Sequence, residues 1–326
     1  MKAVWYERNG PARDVLVHGE MPTPEPAAGE VLVRVHASGV NPSDWKTRGG
    51  SRPMAAARVI PHSDGAGVIE KLGAGVDAAR LGQRVWIWNA QWKRPFGTAA
   101  EYVALPAAQA GAMPDSLSFE AGACLGIPAL TALRAVTTDG GVAGQSVLVA
   151  GGAGAVGHYA IQFAKRLGAA QVLATVSSEA KAEQARGAGA DAAIDYRRED
   201  VAARVRELTG GRGVDRVVEV DLSGNVGLLP AVLAPDGICV AYGSAEREVG
   251  VNFGPMILGG FAIRFFIVYE LAAGPRAECE ALLARFLAEG GLQHKVAVTM
   301  PLSECAAAHD LVQAGTVMGN VVLTVP

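Results

Sequence analysis

Residues 146–168 read SVLVAGGAGAVGHYAIQFAKRLG, and they hold a strand, a glycine turn and a helix in direct succession. An apolar run ends at Ala150, the glycines follow at once, and an amphipathic stretch begins inside them. Ala160, Phe163, Ala164 and Leu167 then share one face at helical spacing. Gly152, Gly154 and Gly157 satisfy G-x-G-x-x-G, and Gly151, Gly154 and Gly157 also give G-x-x-G-x-x-G. Alone such a match is weak in a chain with 41 glycines. Between a strand and a helix it has a physical purpose: glycines let backbone amides approach a pyrophosphate, and the helix start supplies unpaired N–H donors. The competing reading is a tight turn with no ligand. A Walker loop is excluded, because no Lys-Ser/Thr pair follows the glycines.

Outward from this unit, QVLATV, AAIDY, DRVVEV and GICVAYG read as further buried strands separated by helical text. Such alternation implies a doubly wound parallel sheet with right-handed crossovers. Before about residue 118 the character differs. AVWYE, EVLVRVHASGV, GAGVIEKLG, RVWIW and AEYVAL are short strand-like runs between Gly and Pro turns, which read as a compact, mainly antiparallel β domain. After residue 266 a helix, RAECEALLARFLAEGG, precedes KVAVTMPL and GNVVLTV. These last strands carry no nucleotide-binding text and are expected to return to the first domain. The expected division is 1–122 with 267–326 for the β domain, and 123–266 for the inserted nucleotide domain.

The 326 residues suffice for two domains, and at 50% hydrophobic and 19% charged they are globular. A net charge of −3 offers no basic field for nucleic acid or anionic membranes. Cys124, Cys239, Cys279 and Cys305 form no C-x-x-C pair, which suggests reduced thiols in a cytoplasmic protein. No signal-peptide core opens the chain, and apolar runs such as MILGGFAIRFFIVYE are broken and too short to span a bilayer.

The second strand selects the nucleotide. An NAD site usually carries an acid at its end, to bind the ribose 2′-hydroxyl. Here Ser177 and Ser178 stand at that end, with Lys181 one turn into the next helix, a set that suits a 2′-phosphate. Glu179 works against this, and Ser178 also reads as a simple helix cap. The expected cofactor is NADPH.

One further stretch, IPHSDGAG at 60–67, sets His62, Ser63 and Asp64 side by side. Adjacent residues rarely converge on one atom, and no G-x-S-x-G elbow surrounds Ser63, so this is not a hydrolytic triad.

Together, NPSDWKTRGG, IPHSDGAGVIEKLGAGV, FGTAAEYVALP, GIPALTALRAV and the glycine segment occur in the order of the medium-chain dehydrogenase/reductase superfamily. The chain resembles its zinc-free, zeta-crystallin-like quinone oxidoreductases along its whole length. The resemblance implies an α/β protein: a GroES-like, mainly β catalytic domain with an inserted Rossmann domain, acting as a homodimer. Gly152, Gly154, Ala155, Val156 and Gly157 would cradle the pyrophosphate. Ser177, Ser178, Lys181 and Tyr196 match positions at the 2′-phosphate ribose or adenine. Thr131 would lie near the nicotinamide ribose, and Gly243, Ser244, Phe266 and Val268 would face the nicotinamide half. Asn41, Asp44, Lys46 and Arg48 fall in the segment implied to wall the catalytic cleft.

Zinc-bearing relatives have Cys where this chain has Asn41, and His-Glu where it has Ser63-Asp64. The structural-zinc lobe is missing, so no metal is expected. Without a Lewis acid, a quinone or enone suits better than a simple carbonyl, because charge spreads to a distant oxygen. Asn41 is suited to donate to that oxygen and Lys46 to stabilise the anion, although Lys46 also reads as a solvated surface charge. Trp45 and His158 read as packing residues. Relatives often have Tyr at Lys46, and some have an Arg at Gly315 for the 2′-phosphate. Asp64 is expected to bond nearby backbone or Arg48. The expected activity is an NADPH-dependent quinone reductase; reduction of activated alkenes and non-catalytic NADPH binding are the alternatives.

Overall fold

The computed structural model describes residues 1–326, which form two compact units: 1–127 with 284–326, and 128–283. The return to the first unit falls inside one continuous helix, Ala273–Glu289, and so comes later in the chain than residue 267.

In the first unit, one sheet runs in the order Val296–Pro301, Asn320–Thr324, Glu30–Val40, Asp64–Leu72, Arg84–Ile87, Ala110–Ala112, and Tyr102–Pro106 also pairs with Glu30–Val40. All pairings are antiparallel except that between the two C-terminal strands. The C-terminal strands do return: Val321 to Thr324 lie opposite Val40 to Ala37. The strand at 30–40 is apolar because it is central, with neighbours on both edges and Val31, Val33 and Val35 at 0% exposure. Its core joins Ile60, Ile69, Val85, Ile87 and Leu105 to Leu302 and Leu323 from the chain's far end.

The second unit is a six-stranded, all-parallel sheet in the order Ala192–Asp195, Gln171–Val176, Ser146–Val149, Val214–Glu219, Leu233–Ala241, Ala262–Phe265. The first strand of this unit, Ser146–Val149, is central, and the later ones extend to either side of it. That reversal, between 146–149 and 214–219, creates the crevice at the carboxyl ends of the strands where such sheets bind ligands. The five expected strands are present. The sixth, Ala262–Phe265, was hidden in the sequence because it is a four-residue edge strand whose Arg264 and Phe265 are exposed. Helix Ala155–Arg166 is buried at every position from Gly157 to Ala164, and Tyr159 stacks on Phe163 with ring centroids 5.8 Å apart. No helix is long and apolar enough to cross a membrane.

Candidate functional site

The glycine turn leads directly from strand Ser146–Val149 into helix Ala155–Arg166. Gly154 occupies the N-cap of helix Ala155–Arg166 and offers no side chain to cap it, so the first-turn N–H groups of Ala155, Val156 and Gly157 have neither an intrahelical nor a capping side-chain acceptor. Two glycines are required by contact. A Cβ on Gly157 would lie 2.3 Å from the Gly151 carbonyl oxygen, and one on Gly152 would lie 2.6 Å from Ala174 Cβ. The loop therefore lies close against its own helix and the neighbouring strand, and a side chain at either position would push them apart.

At the end of the neighbouring strand, Ser177 is 8% exposed and its Oγ accepts from Lys181 Nζ at 2.9 Å. Ser178 caps helix Glu179–Gly187 by accepting from the Lys181 N–H at 3.4 Å, so the capping reading is correct as well. Glu179 pairs with Arg186 on the surface and so is occupied away from Ser177 and Lys181. Tyr196 follows the adjacent strand, donates its N–H to the Val176 carbonyl, and leaves its side chain 53% exposed. Ser177, Ser178, Lys181 and Tyr196 thus share one end of the sheet.

A second feature lies beyond the other half of the same edge. A pocket of about 530 Å³ is lined by Tyr242, Gly243, Ser244, Arg247, Phe265 and Phe266. Gly243 must be glycine, because a Cβ there would meet the Val220 carbonyl at 2.1 Å. The 244–246 loop is held from below: Asp221 Oδ1 accepts from the Ala245 N–H at 2.8 Å, and the Ser223 hydroxyl donates to Asp221. Val268 does not line this pocket; it is 5% exposed and its carbonyl accepts from Arg276. Thr131 is buried in the first turn of helix Leu130–Thr137.

In the first unit, Asn41, Asp44 and Asp64 form a buried polar floor. The Asn41 amide donates to Asp64 Oδ2 at 2.8 Å, the Ile127 N–H donates to the same oxygen at 3.0 Å, and the Asn41 N–H donates to Asp44 Oδ2 at 2.7 Å. Asp64 Oδ1 has no partner, and burial first of all raises the Asp64 pKa well above its ordinary value. Burial likewise raises Asp44 to about 7. Arg48 goes elsewhere. It is 2% exposed and donates to the Gly10 carbonyl, to Gln313 Oε1 at 3.4 Å and to His309 Nδ1 at 3.4 Å, so it does not bond Asp64. Lys46 is exposed, with its ammonium 5.8 Å from the Trp45 ring centroid.

Several residues escaped the sequence reading. Glu219 is 1% exposed at the end of its strand, accepts from the Asp221 N–H and from Asn225 Nδ2, and is raised in pKa chiefly by burial. Its place among the valines at the end of DRVVEV, a run that also begins with Asp215, was its only signal. His309 escaped it as well, and so did the meeting of His62, Cys305 and His309 in the core, of which the four-residue spacing of Cys305 and His309 was the only trace.

Residues 27–115 match the alcohol dehydrogenase GroES-like domain, and residues 155–289 match the zinc-binding dehydrogenase domain. The chain is 33% identical to the 2-haloacrylate reductase of a Burkholderia species, covering 99% of this chain and 98% of that one. It is 32% identical to the quinone oxidoreductase of Pseudomonas aeruginosa, with 95% of each covered. The chain belongs to the quinone oxidoreductase family of the medium-chain dehydrogenase/reductases. Among solved structures, Escherichia coli quinone oxidoreductase complexed with NADPH superposes with a TM-score of 0.88 at 26% identity, covering 99% of this chain and all of that one. The protein is an oxidoreductase of this family.

At the positions that hold zinc in zinc-bearing relatives, this chain offers Asn41, Ser63 and Asp64, of which only Asp64 is an ordinary zinc donor. The Asn41 amide donates to Asp64, Ser63 brings a hydroxyl, and Asp64 Oδ2 already accepts two hydrogen bonds, from Asn41 and from the Ile127 N–H. Zinc needs thiolate, imidazole or carboxylate lone pairs, and this member of the quinone oxidoreductase family turns a hydrogen-bonded floor toward that place instead.

Proposed function

We propose that the protein is an NADPH:quinone reductase that transfers hydride without zinc. The observation that carries this reading is the Asn41–Asp64 hydrogen bond, which replaces a metal site with an oriented amide. The cofactor assignment rests on the half-buried Ser177–Lys181 pair beside the glycine turn: a hydroxyl and an ammonium at the ribose end, with Glu179 paired to Arg186. Gly152, Gly154 and the N–H groups of Ala155, Val156 and Gly157 hold the pyrophosphate. Tyr196 flanks the adenine end, and Gly243, Ser244 and Phe266 line the nicotinamide end, with Thr131 near its ribose and Val268 packing behind Phe266. When bound, NADPH supplies the hydride.

Asp64 holds one N–H of the Asn41 amide and so sets its plane, and the second N–H is left to donate to the acceptor oxygen. Asp44 fixes the Asn41 backbone, which is a positioning role. A quinone needs no more than this, because the charge arriving with hydride spreads through the ring to a distant oxygen and is quenched by a proton from water. Lys46 stands by as a solvated charge, and Arg48 braces the segment from beneath.

The second reading, reduction of an activated alkene, uses the same residues with hydride delivered to carbon. The relative named for 2-haloacrylate favours it. Initial rates of NADPH and NADH oxidation with 1,4-benzoquinone, 9,10-phenanthrenequinone and 2-chloroacrylate separate the two. Quinone turnover that persists after chelator treatment and falls in Asn41→Ala supports the first. Absence of quinone turnover with either nucleotide removes it.

The protein acts as a homodimer in the cytoplasm. The dimer is supported by the outer edge of strand Ala262–Phe265, which has no neighbour in the sheet, and by the adjacent exposed Phe253, Ile257, Leu258 and Phe265. The cytoplasm is supported by four free, buried cysteines.

A further inference from the structure

We propose that His62, Cys305 and His309 form a buried binding site for one Cu(I) ion, separate from the place where zinc-bearing relatives carry their metal. Their ligand atoms all lie within 4.8 Å of one another, and all three residues are buried. His62 Nε2 is 2.9 Å from His309 Nε2 and 3.8 Å from Cys305 Sγ. Cys305 and His309 sit four residues apart in helix Cys305–Gln313, so both project from one face. His62 reaches them from the turn before strand Asp64–Leu72, where its φ of +76° is a conformation that only strong local constraint holds in a non-glycine residue.

The surrounding hydrogen bonds set His62 in the tautomer a metal needs. Thr98 Oγ1 donates to the Asp64 carbonyl, which only accepts. With that proton committed, Ser38 Oγ must donate to Thr98 Oγ1 at 2.8 Å. Ser38 then accepts from His62 Nδ1 at 2.8 Å. The His62 proton is therefore on Nδ1, and the lone pair on Nε2 points at Cys305 and His309. A second ring nitrogen donating to a fixed oxygen is the usual support of a metal-bound histidine. In the metal-free protein, the His309 Nε2–H donates to that lone pair.

Charge selects the ion. Arg48 lies against His309, buried and with no carboxylate among its hydrogen-bond acceptors; Asp310 acts on it, and Asp44 on Cys305, only through space. A divalent ion with one thiolate and two neutral imidazoles leaves a net positive charge beside that guanidinium, at high cost in a buried site. A monovalent ion with one thiolate leaves none. Three donors of the His₂Cys type suit copper, whereas structural zinc almost always takes four. Binding expels one proton: Cys305 loses its thiol hydrogen to solvent as the Cu–S bond forms, and the His309 proton moves from Nε2 to Nδ1. The Arg48–His309 contact, at 3.4 Å one of the two long contacts of that side chain, is given up. The ion would tie the C-terminal helix to the turn at His62.

The test is an anaerobic titration of the full-length protein with Cu(I), supplied as its acetonitrile complex against bicinchoninate, with Zn(II) titrated in parallel. The expected result is one Cu(I) and one released proton per chain, and X-ray absorption showing two nitrogens and one sulfur around copper. Cys305→Ser and His309→Gln are expected to weaken binding more than about 100-fold. Cys124→Ser, which alters another buried thiol, should leave it unchanged. Absence of binding, preferential uptake of Zn(II), or loss of copper in Cys124→Ser overturns the proposal. If the variants at 305 and 309 do not fold, the wild-type absorption spectrum decides: any set other than two nitrogens and one sulfur overturns it. None of these readouts depends on nucleotide or quinone, so the two proposals stand or fall separately.

Discussion

Replacing Asp44 with Asn should change how stability depends on pH. Asp44 is 5% exposed, and its carboxylate takes the N–H of Asn41 at 2.7 Å. Burial outweighs that bond and raises the pKa from 3.8 to about 7. Across this window the unfolded chain has released the Asp44 proton and the folded chain still holds it. The folded state binds more protons, so stability falls as pH rises from about 4 and levels off above about 7. Three pH units at about 1.4 kcal/mol each amount to about 4 kcal/mol. Asp44→Asn keeps the shape and an acceptor for Asn41 but cannot ionise. Wild type and variant should match near pH 4, and by pH 8 the variant should lead by about 4 kcal/mol. Urea unfolding followed by tryptophan fluorescence at one-unit pH steps measures the difference, and groups common to both proteins cancel. Parallel stability profiles, or a variant that loses ground as pH rises, would refute the argument.

Three further outcomes are expected. Lys181→Met removes the ammonium beside Ser177 and should weaken NADPH binding about 10- to 100-fold while leaving NADH binding within about twofold, as read by fluorescence titration; an equal loss for both nucleotides counts against a 2′-phosphate site. Gly157→Ala sets a methyl 2.3 Å from the Gly151 carbonyl, so nucleotide binding should vanish and the thermal midpoint should drop by several degrees; retained binding would mean that the turn is not the cradle. Leu258→Arg, at a side chain 89% exposed, should convert a dimer to a monomer in sedimentation velocity without loss of fold, and an unchanged sedimentation coefficient would place the dimer contact elsewhere.

The glycine turn at 151–157, the strands that follow it and the Ser177–Lys181 pair were legible in the sequence. Each signal lies within one strand–turn–helix unit, where spacing and stereochemistry act over a few residues. That Asn41, Ser63 and Asp64 stand where zinc-bearing relatives have Cys, His and Glu was legible too, through the resemblance, because residue type is written in the sequence wherever the side chain points. Edge strand Ala262–Phe265 was not, since its identity as a strand comes from pairing with Leu233–Ala241 and not from its own text. Only the tertiary structure decided where Arg48 spends its donors, that Ile127 as well as Asn41 holds Asp64, and that His62 meets a histidine 247 positions later. Those contacts depend on how a C-terminal strand registers against Glu30–Val40 and carries its helix over the core. No local spacing encodes that register. It is set by the burial of two apolar faces against each other, and the polar groups caught between them must then find partners where they lie.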